Sequence, residues 1–205
     1  MGNIAASTVA EQACESGDEP VEVVLFWGPA ASEVSQERGI GILEGLESTF
    51  AECGLEYSIV EEVFADFNLE KAYNLMDGVA TAHPDMDIAI GFNSNTALGM
   101  SQSLLTTNRL DGVKIVTMGG QPNELAALCR GEINNSVFRD PWDMGRLAAE
   151  AIIADMNGEG DSLEEIEYTE LAPITSCDDG FETVPRDILE QDEFRGGLDE
   201  GQWQD

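Results

Sequence analysis

Positive charge is what this chain has least of. Its 205 residues hold 41 Asp and Glu against 9 Lys and Arg, a formal net charge of −32 at pH 7. Binding to DNA, RNA or anionic lipid by counterion release needs clustered Lys and Arg, so nucleic acid is the first partner excluded. Lys71 and Lys114 are the only lysines; most carboxylates must stay unpaired, and the folded chain repels itself. Screening tightens from ~10 Å at ~0.1 M to ~3 Å at ~1 M ionic strength. The composition therefore suits a saline or marine setting, or an extracytoplasmic compartment open to one.

Long apolar runs are missing too. No segment approaches the ~18 consecutive apolar residues of a membrane span, so direct membrane insertion is not expected. The opening segment, Met1 to Ser7, has no basic region followed by an apolar stretch and so does not read as a secretory signal. The four cysteines, Cys14, Cys53, Cys129 and Cys177, have no CxxC spacing, which argues against a zinc site or a thioredoxin-like motif. Two disulfides fit a compartment outside the cytosol, with three connectivities open. The single histidine, His83, precedes Pro84 with no cysteine or carboxylate partner in view, so it reads as structural. No catalytic triad or metal cluster stands out, and neither a metal nor a cofactor is expected.

What remains is globular: 42% hydrophobic and 24% charged, in a chain long enough to bury roughly 70% of its unfolded surface. Short β-branched runs alternate with segments of helical period, the pattern of a doubly wound α/β fold with a parallel five-stranded sheet flanked by helices. The strands are read at Val21–Trp27, Glu56–Val63, Asp87–Gly91, Val113–Met118 and Asn135–Phe138. Helices fall between them, with apolar faces at Leu43, Leu46, Phe50 and Cys53; at Leu69, Ala72, Tyr73, Met76, Val79 and Ala80; and at Ala97, Met100, Ser101, Leu104 and Leu105. A shorter helix runs from Pro122 to Arg130. Two more bracket the core, residues 3–15 and 141–157, the second with a face of Met144, Leu147, Ala148, Ala151 and Ile152. Ile166–Leu171 reads as one further strand, and the acidic remainder as a less ordered tail, largely disordered over residues 178–205.

Gly39 and Gly41 half-match a dinucleotide fingerprint but lack its last glycine and lie inside a helix, so that reading fails. A phosphoryl-accepting receiver is disfavoured because the first strand ends in Phe26, Trp27, Gly28 and Pro29 rather than in acids. Ligands of open α/β sheets sit beyond the carboxyl ends of the strands. There the chain places Gly28 to Glu33 followed by Arg38, then Asn93, Ser94 and Asn95, then Gly119, Gly120 and Gln121, then Arg139 and Asp140. Each alone reads as a loop or cap; four such groups at one edge read as a site.

Arg38–Gly41, His83–Asp87, Asn93–Gly99, Lys114–Gly120 and Ser136–Pro141, followed by Met144 and Gly145, occur in an order and spacing that resembles type I periplasmic solute-binding proteins. The likeness extends to about residue 172. It is nearest the sugar-binding branch and its relatives, including the periplasmic autoinducer receptor and the sensor of trimethylamine N-oxide. In that family two lobes close on a small molecule. The resemblance implies that residues 1–140 are the second lobe, that 141–172 return to a first lobe missing from this chain, and that 173–205 are an acidic extension. DNA-binding regulators share the fold, but their N-terminal helix-turn-helix is not seen here.

Carried over by position, Arg38 and Asn93 match pocket residues, Arg139 stands where sugar binders often have glutamine, and Gly119 stands where they usually have an aspartate. Losing an acceptor and gaining a second guanidinium favours an anion over a neutral polyol. The resemblance thus implies an extracytoplasmic, non-enzymatic binding protein for an oxygen-rich, anionic small-molecule ligand. Arg38, Asn93, Ser94 and Arg139 are the primary residues, with Trp27, Asn95, Met118 and Gly119 secondary; a membrane transporter or a sensor kinase is the downstream partner. The competing expectation is a free-standing flavodoxin-like enzyme or cofactor-binding domain.

Overall fold

The computed structural model describes residues 1–17, 20–160, 169–184 and 189–191. In chain order the elements are α1 (Gly2–Ser16), β1 (Val21–Trp27), α2 (Glu33–Cys53), β2 (Tyr57–Phe64), α3 (Leu69–Ala82), β3 (Ile88–Gly91), α4 (Ser94–Thr106), β4 (Lys114–Val116), α5 (Pro122–Cys129), β5 (Ser136–Arg139), α6 (Pro141–Met156), β6 (Leu171–Ile174) and α7 (Cys177–Thr183). The first four strands form one parallel sheet in the order β2-β1-β3-β4.

Successive side chains of a strand point to opposite faces, and β1 shows how this builds two cores. Val23 and Leu25 pack with Ala6, Val9, Ile42, Leu46 and Phe50 of α1 and α2. Val24 and Phe26 pack on the other face with Met76, Ala97, Met100 and Leu125 of α3, α4 and α5. Helices on both faces make the sheet doubly wound, as the alternating pattern predicts. The first helical pair lies unusually close because glycines face the contact. A Cβ on Gly2 would stand 2.2 Å from the Arg38 carbonyl oxygen, and one on Gly45 would stand 2.7 Å from that of Asn3. Of the three connectivities, the chain adopts Cys14–Cys53, which ties α1 to α2, and Cys129–Cys177, which ties α5 to α7.

The expected fifth parallel strand needs correction. β5 touches the line of β4 through two isolated parallel bridges, Val116 with Asn135 and Gly119 with Phe138. Its regular partner is β6, and the pairing is antiparallel. The chain leaves β4 at Val116 for the Gly119–Gly120 turn, too soon for a continuous ladder. Three residues of the expected inter-strand helix faces, Leu43, Cys53 and Leu105, are instead exposed; Ile42 and Leu104 take the buried positions beside Leu43 and Leu105. His83 does have a carboxylate nearby: its Nε2 lies 3.4 Å from Glu61 Oε2. The strand expected from Ile166 falls partly on 161–168, outside the described residues; the observed β6 begins at Leu171. Within the acidic C-terminal segment, Cys177–Thr183 is helical, capped by Ser176, whose hydroxyl accepts from Asp179 N–H. Its remaining parts, 185–188 and 192–205, lie outside the described residues.

No residue of α6 is buried. Of the expected apolar face Met144, Ala148 and Ile152 are exposed and Leu147 and Ala151 half-buried, and Trp142, Ile153 and Met156 elsewhere on the helix are exposed too. None of the described helices is long and apolar enough to cross a membrane.

Candidate functional site

At the carboxyl ends of the strands lies a cleft of about 680 Å³, lined by Val34, Arg38, Phe67, Asn93, Ser94, Met118, Gly119, Gly120, Gln121, Pro122, Arg139, Pro141, Trp142, Met144 and Gln191. It gathers residues from α2, the β2–α3 loop, α4, the β4–α5 turn, the end of β5 and α6. Arg38 and Arg139 converge here rather than diverging to opposite ends of the sheet. Although the chain holds 41 Asp and Glu, no carboxylate lines this cleft among the described residues.

Arg38 sits in the second turn of α2. Its Nη1 donates to the Phe92 carbonyl, and its guanidinium carbon stands 5.7 Å from the centroid of the Phe67 ring. Burial lowers its pKa, the Arg139 charge lowers it further, and the Glu124 carboxylate acts in the opposite direction. Arg139, half-buried at the end of β5, is therefore close enough for the two cations to repel. That repulsion is relieved when an anion lies between them.

Asn93 lines the cleft, but much of its side chain is engaged in capping α4. Its Oδ1 accepts from Thr96 N–H at 2.9 Å and from Thr96 Oγ1 at 2.7 Å, which leaves its amide nitrogen, 3.5 Å from the Phe67 carbonyl. Ser94 is 2% exposed, and its hydroxyl bonds to Glu124, so it supports the floor from below. Met118 and Gly119 line the cleft as expected; Asn95 does not. Trp27 does not line it either. Its ring packs at a tilt against Phe92, 4.6 Å between centroids, its Nε1 donates to Glu62 Oε2 at 2.9 Å, and Gly39 admits it, since a Cβ there would lie 2.1 Å from the ring.

Phe67 was not anticipated. It follows β2, at the same edge as the other loops, so the rule applied to the ends of strands one, three, four and five would have found it. Asp66 and Phe67 both adopt left-handed backbone, φ 55° and 58°, a conformation costing roughly 1–2 kcal/mol per non-glycine residue. The turn is held by Lys71 Nζ on Asp66 Oδ2 at 2.6 Å and by Asn68, which caps α3 through Lys71 N–H at 2.8 Å. Its result is a phenyl ring laid over Gly28, where a Cβ would stand 2.2 Å away. Trp142, Met144 and Gln191 were likewise missed as lining residues. No group of His, Cys, Asp and Glu among the described residues could hold a metal ion.

Comparison with known proteins agrees with this layout. Residues 1–160 match the family described as periplasmic binding protein domain. A ribose import binding protein of Salmonella typhimurium is 27% identical over 158 residues, 77% of this chain and 50% of that protein. A putative rhizopine-binding protein of Rhizobium meliloti is 27% identical over 147 residues, 71% of this chain and 47% of that protein. A crystal structure from Mycobacterium smegmatis in complex with β-D-fucofuranose superposes with a TM-score of 0.79 at 21% identity, covering 96% of this chain and 61% of that one. The chain thus spans about half the length of the curated relatives it matches.

Proposed function

Because the chain belongs to the periplasmic binding protein domain family, we propose that its cleft is one jaw of a solute trap that captures an oxygen-rich, anionic small molecule of sugar-like size. The observation that carries the reading is the pair Arg38 and Arg139 in a cleft that no carboxylate lines among the described residues, on a chain dominated by carboxylates. A charge-assisted hydrogen bond from each guanidinium contributes about 1.5–3 kcal/mol. Asn93 Nδ2 supplies a further polar group for hydroxyls, and Phe67 and Trp142 supply apolar walls.

Residues 1–140 form the body of this jaw, with Trp142 and Met144 of the following helix at its edge, and the opposing jaw is a first lobe of the kind that the longer relatives have room for. The exposed face of α6, within the 141–172 segment, supports such a neighbour, since a helix with five large apolar side chains in water normally covers something. Ligand favours the closed pair of jaws, and hinge closure is the mechanism. Binding without turnover, outside the cytoplasm, replaces the flavodoxin-like alternative, and two disulfides fit that compartment. The relatives named for import favour delivery to an ABC-type transporter over reporting to a sensor kinase.

Calorimetric titration of the protein joined to its first lobe, using D-galacturonate, D-gluconate, D-galactose and D-ribose, tests the reading. Tighter binding of the acids than of the neutral sugars is expected, weakening as salt is raised. Binding of neutral sugars alone, indifferent to salt, would falsify the anion assignment.

A further inference from the structure

Beneath the floor of the cleft lies a carboxyl group that the binding surface does not expose. Glu124, in the first turn of α5, is fully buried. Four donors converge on it: Ser136 Oγ on Oε1, the Gly120 N–H at 3.0 Å and the Gln121 N–H at 3.3 Å on Oε2, and the Ser94 hydroxyl. The bond from Gln121 is half of an ordinary capping box. Capping does not require the acid to be sealed from water, nor two buried serine hydroxyls to be aimed at it. Gly119 forms the roof: a Cβ there would lie 2.2 Å from Ser94 Oγ and 3.2 Å from Glu124 Oε2. The Gly119 backbone and the Ser94 side chain stand between this carboxyl and the cleft lined by the arginines. Burial pushes the Glu124 pKa up against the pull of its hydrogen bonds, and its charge favours the Arg38 cation.

We propose that Glu124 is a positioning residue for the anion site, pinning the Gly119–Gln121 floor and serving as the buried counter-charge of Arg38, so that an anion in the cleft binds together with a proton taken up by Glu124. The inference rests on the anion reading of the cleft. The physics is linkage: an anion that takes over the neutralisation of the guanidinium groups lowers the benefit of an ionised Glu124, so a proton from solvent adds to its carboxylate. Affinity for an anion then rises as pH falls toward the carboxyl's titration range, whereas affinity for a neutral sugar does not.

The charged groups around Glu124 are few. Among the described residues Arg38, from α2, feels the Glu124 charge; Arg139, Glu37 and the Met1 ammonium stand around Arg38. α4 carries no charged residue. α7, which packs on α5, brings Asp178 and Asp179, and Asp179 is engaged by the N–H and hydroxyl of Thr175.

Two readouts test the proposal. The first needs no ligand: the Glu124 carboxyl carbon is titrated by NMR in the wild type and in Arg38→Gln, and loss of the cation is expected to shift its titration to higher pH. The second is calorimetry with D-galacturonate and D-galactose at about pH 7.5 and about pH 5.5, in buffers of different ionisation enthalpy. The wild type should bind galacturonate roughly tenfold more tightly at the lower pH, with proton uptake. Glu124→Gln should lose both effects, its amide oxygen accepting the backbone N–H groups and its NH2 facing serine hydroxyls free to rotate. Should that variant fail to fold, Ser136→Ala removes one donor to the carboxylate and should move the pH dependence upward. An unshifted Glu124 titration in Arg38→Gln, or galacturonate binding that is flat with pH and without proton uptake, overturns the proposal. If galacturonate does not bind and galactose does, the anion reading falls instead, and the ligand-free titration alone decides the charge coupling.

Discussion

Replacing Arg139 with glutamine should make the empty protein more stable and the loaded protein weaker. Burial lowers the pKa of Arg38 and repulsion from Arg139 lowers it further; both line a cleft open to solvent, so screening holds the Arg139 penalty to about 0.5–1 kcal/mol. Relieving it should raise the melting temperature by about 1–4 °C for a chain of this size. The same substitution removes a charge-assisted hydrogen bond to a carboxylate, about 1.5–3 kcal/mol, equivalent to roughly 10- to 150-fold in Kd. Affinity for D-galactose should change little, because glutamine still donates. Arg139→Lys keeps the charge but not the planar fork and should fall between. Thermal denaturation and calorimetry read the two effects separately. A melting temperature that falls by several degrees while galacturonate affinity holds would mean that Arg139 is scaffold, and the account of the cleft would fail.

The disulfides should matter in proportion to the chain they close. Sequence separations of 39 and 48 residues correspond to about 4 kcal/mol each in the loop-entropy picture. Cys14→Ser with Cys53→Ser should therefore lower the melting temperature by roughly 8–16 °C, and non-reducing peptide mapping should recover both pairings; an unchanged melting curve under reductant contradicts this. Glu124 contributes to stability with a defined sign. Its carboxyl pKa is raised in the folded state, so its contribution is fully present below the unfolded value of about 4.3 and is lost as pH rises through the folded value. The stability difference between Glu124→Gln and the wild type should therefore shift in favour of the variant over that window in pH-dependent chemical denaturation, and a difference independent of pH would contradict the burial. Stopped-flow association of galacturonate should speed up with salt, since the net charge of −32 repels an anion at long range and screening removes that repulsion; slowing with salt would mean that the cleft's local field dominates the approach.

The parallel sheet was legible because its information is local. Runs such as Val21–Trp27 and Asp87–Gly91 carry the pattern of strands covered on both faces, and Gly54, Asn93 and Pro122 mark helix ends through rules that need no tertiary context. The fate of β5 was not local. Asn135–Phe138 reads as one more parallel strand until β6, about thirty residues on, offers it an antiparallel partner, and nothing within either segment states that competition.

The site divides along the same line. Arg38, Asn93, Gly119 and Arg139 could be gathered because strand ends share one edge, a property of topology. What those residues do there depends on neighbours in three dimensions. Ser94 faces inward because Glu124 needs its hydroxyl, Trp27 is drawn away because Gly39 leaves room for its ring, and Phe67 enters because two residues accept left-handed backbone. Glu124 shows the limit most plainly. In sequence it is one acid among 41 and an unremarkable third residue of a helix; its distinction is that Gly119, Ser94 and Ser136 close over it. Burial of a single charge is decided by the packing of elements far apart in the chain, and so are the sign and strength of the field it sets in the cleft.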